Sequence, residues 1–134
     1  MPRPSSARDS LSAPSGPGTE RRITAQGQSR AVFQRALERG NLLVAEATLR
    51  ELGRPTLTEL LELTALIAFK DPARHSRVAA RWLLRWLERH DQATIGDAAL
   101  AAACLAALGG RQHQAALTTL RELAEEAGGS RGLR

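Results

Sequence analysis

A segment of this chain occurs twice. Gly40, Ala45, Leu49 and Leu52 run in the same order and nearly the same spacing as Gly110, Ala115, Leu120 and Leu123, and each copy ends in Thr-Leu-Arg-Glu-Leu, at 48–52 and 119–123. The glycine suits the end of one helix, and the Ala and Leu that follow recur at the spacing of a second. The copies lie about two units of roughly 35 residues apart, a period that marks stacked helical hairpins. One such unit cannot bury its apolar side alone, so its neighbours must cover it. Arrays of this kind bind partners far more often than they catalyse.

At 134 residues the chain supports one domain. Hydrophobic residues make up 43 %, but aromatics only 3 % and Tyr is absent, so the core must be built from Ala and Leu. Both are strong helix formers and β-branched residues are sparse, which predicts an all-α fold. Lys70 is the lone lysine. That Arg bias, with abundant Ala, reads first as base composition rather than as selection for guanidinium chemistry.

The charge is uneven. Residues 1–30 hold five arginines against Asp9 and Glu20, so +3 of the net +5 sits there and the folded part is nearly balanced. A single cysteine, Cys104, excludes an intramolecular disulfide and argues against a thiolate metal site. The N-terminus lacks the apolar core of a signal peptide. The longest apolar run, Ile95 to Leu108, is broken by Gly96 and Asp97 and is too short to span a bilayer. A cytoplasmic protein without membrane contact is expected.

Residues 1–28 hold four of the six prolines, interspersed with Ser and Gly, which predicts a disordered basic tail. Ser29 is a plausible cap for the first helix, with a helical domain over 29–128 and a frayed end over 129–134. Six helices are expected in three antiparallel hairpins. The first, about 30–39, puts Val32, Phe33, Ala36 and Leu37 on one face. Gly40 stops it, and Asn41 caps a second helix that packs Leu42, Ala45, Leu49 and Leu52 and ends at Gly53.

Thr56 and Glu59 form a capping box for the third, whose apolar residues (Leu57, Leu60, Leu61, Leu63, Leu66, Ile67 and Phe69 among them) wrap much of its circumference. That helix needs neighbours on more than one side. Asp71 and Pro72 open the fourth. Thr94 and Asp97 cap the fifth, which is uncharged from Ala98 to Leu108 and so is either buried all round or covered by a partner. The sixth, about 111–127, turns His113, Ala116, Leu117, Leu120, Leu123, Ala124 and Ala127 inward.

Ala45, Leu49 and Leu52, a small residue followed by large ones at i+4 and i+7 after a Gly, together with Ala79, Leu83 and Trp86 one repeat later, resemble the second helices of the tetratricopeptide-like family. The resemblance covers about residues 30–127. It departs from the family in lacking the first-helix aromatics, in having Asp71-Pro72 where a Gly is expected, and in the Ala-rich fifth helix. The resemblance implies a stack of hairpins whose first helices line a concave face that takes a peptide.

Four arginines carry the clearest binding signal. Arg74, Arg77, Arg81 and Arg85 share one arc of the fourth helix opposite the apolar arc, and could track an acidic partner or phosphates. The alternative is a solvated face neutralised by Glu59 and Glu62 on the adjacent helix. Trp82 and Trp86, at i and i+4, are expected in the core. Cys104 reads as a small hydrophobe. His75, His90 and His113 fall in separate elements without zinc-site spacing, and no phosphate loop or nucleophile elbow is present.

No catalytic, cofactor or metal residues are therefore expected. The sequence predicts a non-catalytic interaction or scaffold module with a protein or peptide partner and scope for self-association. The rival is a nucleic-acid-binding accessory protein that uses the Arg ridge with Arg21, Arg22 and Arg30.

Overall fold

The computed structural model describes residues 17–133, with side-chain surroundings for residues 27–128. It is all-α, in the element order α1 (Pro17–Arg39), α2 (Leu42–Leu52), α3 (Leu57–Lys70), α4 (Pro72–Arg89), α5 (Ile95–Ala107) and α6 (His113–Leu133). Consecutive helices pair as the three antiparallel hairpins α1–α2, α3–α4 and α5–α6.

The helix boundaries follow the local chemistry. At the end of α1, the Asn41 N–H donates to Ala36 O (2.8 Å) and the Gly40 N–H to Leu37 O (3.1 Å), with Gly40 at φ 70°. This is a Schellman closure, which needs a left-handed residue and so favours Gly. Asn41 then caps α2 by accepting from the Val44 N–H at 3.2 Å. Both capping boxes are present: Thr56 with Glu59 opens α3, and Thr94 with Asp97 opens α5.

Three ends differ from expectation. α1 starts at Pro17, so Ser29 lies inside the helix and not at its cap. Residues 17–28 contain no proline after the first helical position, where proline is tolerated, and Gly18 and Gly27 each cost at most about 1 kcal/mol against Ala. The expected tail falls outside the described residues over 1–16. The backbone of α6 continues to Leu133, through the segment expected to fray.

Asp71 stands at the N-cap of α4 but makes no side-chain cap bond. Its carboxylate accepts instead from Arg74 Nε at 2.8 Å.

Two apolar clusters hold the molecule. The larger joins α3, α4, α5 and α6 around Trp82, Trp86, Leu61, Leu105, Leu108 and Leu120. The smaller joins α1 and α2 through Phe33, Ala36, Ala45, Leu49 and Leu52, against Leu60, Leu63 and Leu66 of α3. α3 therefore has neighbours on two sides, as its wrapped apolar pattern requires. Trp82 (2 % exposed) and Trp86 (0 %) are core residues.

The successive hairpins are joined in different ways. α3 touches both helices of the first hairpin, whereas α6 touches both α3 and α4, and α5 rests on α4 and α6. The second and third hairpins thus close into a ring.

The two copies of the repeated segment also differ. Ala45 is buried, but its counterpart Ala115 is exposed and Ala116 is buried instead. Residues 116, 120 and 123 reproduce the 4- and 7-residue steps of 45, 49 and 52, which Ala115 does not. Among the described glycines only Gly40 and Gly53 have positive φ, so Gly110 does not repeat the turn at Gly40.

Candidate functional site

A groove runs over α3, with α2 and α4 as its walls. Its floor is Leu60, Leu63, Thr64 and Ile67; Glu46 stands on the α2 side, and Arg74, Val78, Trp82, Arg81 and Arg85 on the α4 side, around about 230 Å³. It continues along α2 into a second hollow of about 320 Å³ lined by Leu49, Arg50, Gly53 and Pro55, sharing Glu46, Leu60 and Leu63 with the first.

The concave face was expected on the first helix of each hairpin, but only α3 contributes. The reason lies in the ring: α6 and not α5 packs back on α3, which leaves α5 on the far side of α4.

The four sequence-predicted arginines divide. Arg74 is spent on structure. Its Nη1 and Nη2 donate to the two Glu46 carboxylate oxygens at 2.9 and 3.0 Å, and its Nε to Asp71. The hydrogen bonds it donates to Glu46, and next to Asp71, raise its pKa above the ordinary arginine value. This fork spans from α2 to α4 and straps one end of the groove.

Arg81 and Arg85 line the groove and are exposed. Arg77 is exposed as well but does not line it. The ion pairs among the described residues (Arg30–Glu59, Arg74–Glu46, Arg74–Asp71 and Arg121–Glu62) use none of Arg77, Arg81 or Arg85.

Neutralisation of the ridge by Glu59 and Glu62 does not occur. The Glu59 carboxylate closes its own capping box on the Thr56 N–H at 2.9 Å and accepts from Arg30 Nε at 2.7 Å. Glu62 accepts from Arg121 Nε at 2.8 Å, which raises the Arg121 pKa. Each carboxylate faces a different neighbour of α3, so neither is left for α4.

The sequence reading missed Glu46 and Arg50. Glu46 follows the buried Ala45 directly and meets an arginine one hairpin away, a pairing with no local signal. Leu60 and Leu63 were legible as part of the α3 wrap, but not as a floor.

Both indole N–H groups are satisfied by backbone: Trp82 Nε1 donates to Leu57 O (2.9 Å) and Trp86 Nε1 to Leu123 O (3.0 Å). They are therefore not free anchors for a partner. His75 Nε2 lies 2.8 Å from Leu105 O and fastens α4 to α5. Phe69, expected inside, is 52 % exposed and meets His113 edge-on at a centroid distance of 4.8 Å. Burial raises the Cys104 thiol pKa, which disfavours the reactive thiolate.

Among the described residues, no group of three or more His, Cys, Asp or Glu side chains is placed to hold a metal ion. No helix among them is long and apolar enough to cross a membrane. Comparison with family models, with curated proteins and with solved structures found no match.

Proposed function

We propose that this protein is a non-catalytic interaction module whose α2–α3–α4 groove takes an acidic amphipathic segment of a partner protein. The carrying observation is the mismatch between floor and rim. Leu60 and Leu63 offer an apolar floor, while Arg50, Arg81 and Arg85 stand over it without carboxylate partners among the described residues. A segment with Leu or Phe on one side and Glu or Asp on its edges matches both.

Apolar contact would supply most of the affinity, and the guanidinium groups orientation and encounter rate. The tetratricopeptide-like pattern of Ala45, Leu49 and Leu52 supports the same reading, since that resemblance implies a peptide-binding concave face.

The test uses fluorescein-labelled designed helices about four turns long, with Leu on one face and Glu on the edges, titrated against the full chain by anisotropy. Saturable binding is expected. Arg81→Glu with Arg85→Glu should weaken it by roughly 100-fold, and Arg35→Glu, away from the groove, should leave it unchanged. Binding should also weaken as salt rises. Absence of saturation, or equal binding by the groove variant, overturns the proposal. A mobility shift of RNA or duplex DNA at low salt that the Arg81/Arg85 variant abolishes, without peptide binding, would replace it with phosphate recognition.

A further inference from the structure

The two ends of the groove carry different charge, and the register of its walls shows which end is which. Trp82 Nε1 bonds the carbonyl of Leu57, the first residue of α3, so the later part of α4 lies beside the start of α3. Arg81 and Arg85 therefore stand at that end. The turn from α2 into α3 brings Arg50, Gly53 and Pro55 to the same end, where they share a hollow with Leu60 and Leu63. Arg74 and Ile67 mark the other end, where Arg74 grips Glu46.

At the strap, one guanidinium serves two carboxylates, Glu46 and Asp71. The nearest further cation, Lys70, reaches toward Gly40 at the α1–α2 turn and lines neither hollow of the groove. That end has negative charge in excess.

The Leu60 end is the reverse. Arg50, Arg81 and Arg85 line it, and Arg81 and Arg85 also border an outer hollow with Leu84, Glu88 and Arg89. Glu88 is the one carboxylate lining these hollows at that end, against four arginines. Glu51 and Arg54, both exposed near the turn, line none of them and offset each other.

Arg74 and Arg85 lie three turns apart on α4, about 16 Å. Salt screens exposed charges over about 8 Å under physiological conditions. The two ends are thus separate electrostatic sites, and a carboxylate over one gains little from cations at the other.

We infer that the groove reads how charge is distributed along its partner. The segment it takes carries its carboxylates at one end, over Arg50, Arg81 and Arg85, and sets an uncharged or basic end against the Arg74–Glu46 strap. This rests on the groove reading above and narrows it. A carboxylate at the strap meets Glu46 and Asp71, and can win Arg74 only by stripping Glu46 of both its bonds. The strap thus acts against evenly acidic segments, while the open arginines select the orientation. Full side-chain charges outweigh the half-charges of a helix terminus, so carboxylate position and not chain direction decides which way the segment lies.

The test uses three acetylated and amidated helices about four turns long, with the same Leu face and the same number of Glu residues. Glu occupies the first two turns, the last two turns, or both ends equally. A nitroxide at the acidic end of either polarised helix should broaden the amide resonances of Gly53 and Arg54 in the full chain, and one at the other end those of Asp71 and Ala73. Moving the Glu residues should therefore reverse the docked direction. The evenly charged helix should bind about 10-fold more weakly than the polarised ones. Glu46→Gln, which removes a strap carboxylate and releases Arg74, should narrow that gap.

A docked direction that ignores the position of the Glu residues, or equal affinity for all three helices, overturns the inference and leaves the groove reading standing. Absence of saturable binding by any of the three removes the groove reading and this inference with it.

Discussion

The α3–α6 ring and the α1–α2 hairpin are built on different principles, although each repeats the same small-and-large Leu pattern. The ring encloses two indoles whose N–H groups each bond a carbonyl of another helix, Leu57 of α3 and Leu123 of α6. Those bonds fix helix position as well as volume. The hairpin offers Phe33 as its one buried aromatic and seats it against the outer side of α3.

Ion pairs then hold the hairpin in place. Arg30 of α1 pairs with Glu59, and Glu46 of α2 pairs with Arg74. All four side chains retain some solvent contact, so each pair contributes modestly. A chain with few aromatics concentrates its indoles where helices must be locked, while ion pairs serve both junctions, since Arg121–Glu62 ties α6 to α3 within the ring. The groove lies along the weaker junction, between hairpin and ring.

The largest effect should come from the ring. Trp86→Ala leaves an indole-sized void in the centre and removes the bond to Leu123 O, at a cost of about 4 kcal/mol, a large share of the stability of a domain this size. Urea unfolding would show the whole transition displaced. Trp86→Phe, which keeps most of the volume and loses the donor, should fall between that variant and wild type.

Phe33→Ala should cost less overall and act locally. Native-state hydrogen exchange should show the α1–α2 amides losing protection by about 3 kcal/mol, while those of α3–α6 keep theirs. If protection fell equally in both regions, the distinction between them would not stand and the molecule would be one cooperative unit.

Much of this contrast was legible in the residues. The capping boxes at Thr56 and Thr94 and the Gly40–Asn41 turn are local chemistry, and they appear where the sequence puts them. The inward place of Trp82 and Trp86 follows from one helical arc. Which helix closes the ring was not legible, because α5 and α6 are both apolar enough to pack on α3, and only the three-dimensional arrangement decides between them.

The same limit applies to the arginines. Helical spacing places Arg74, Arg77, Arg81 and Arg85 on one arc, but it cannot show that Glu46 claims the first of them, or that Arg77 falls outside the groove. Charge partners a hairpin apart leave no periodic trace. The uncharged run of α5 signals either burial or a covered surface, and sequence alone does not choose.

The smallest effect concerns α5, the ring's least buried helix, and tests whether the ring is uniformly robust. The Thr94 N–H donates to the Asp97 carboxylate at 3.0 Å. That backbone bond, then the Thr94 side chain and the nearby His90, hold the Asp97 carboxyl below its ordinary value of 3.8. A carboxyl whose pKa is depressed by folding adds stability above the unfolded value and loses it as pH falls through the folded one.

The start of α5 should therefore be insensitive to pH between neutrality and about 5, and should fray progressively below about 4. Amide exchange at Ala98 and Ala99, followed against the carboxyl resonance of Asp97, would read this directly. Asp97→Asn keeps an oxygen for the Thr94 N–H and removes the titrating proton, so its α5 should lack the acid response while losing little protection at neutral pH. An unchanged acid response in that variant would move the sensitivity elsewhere in the ring, and α5 would then owe its start to packing on α4 and α6, with the capping box a minor contributor.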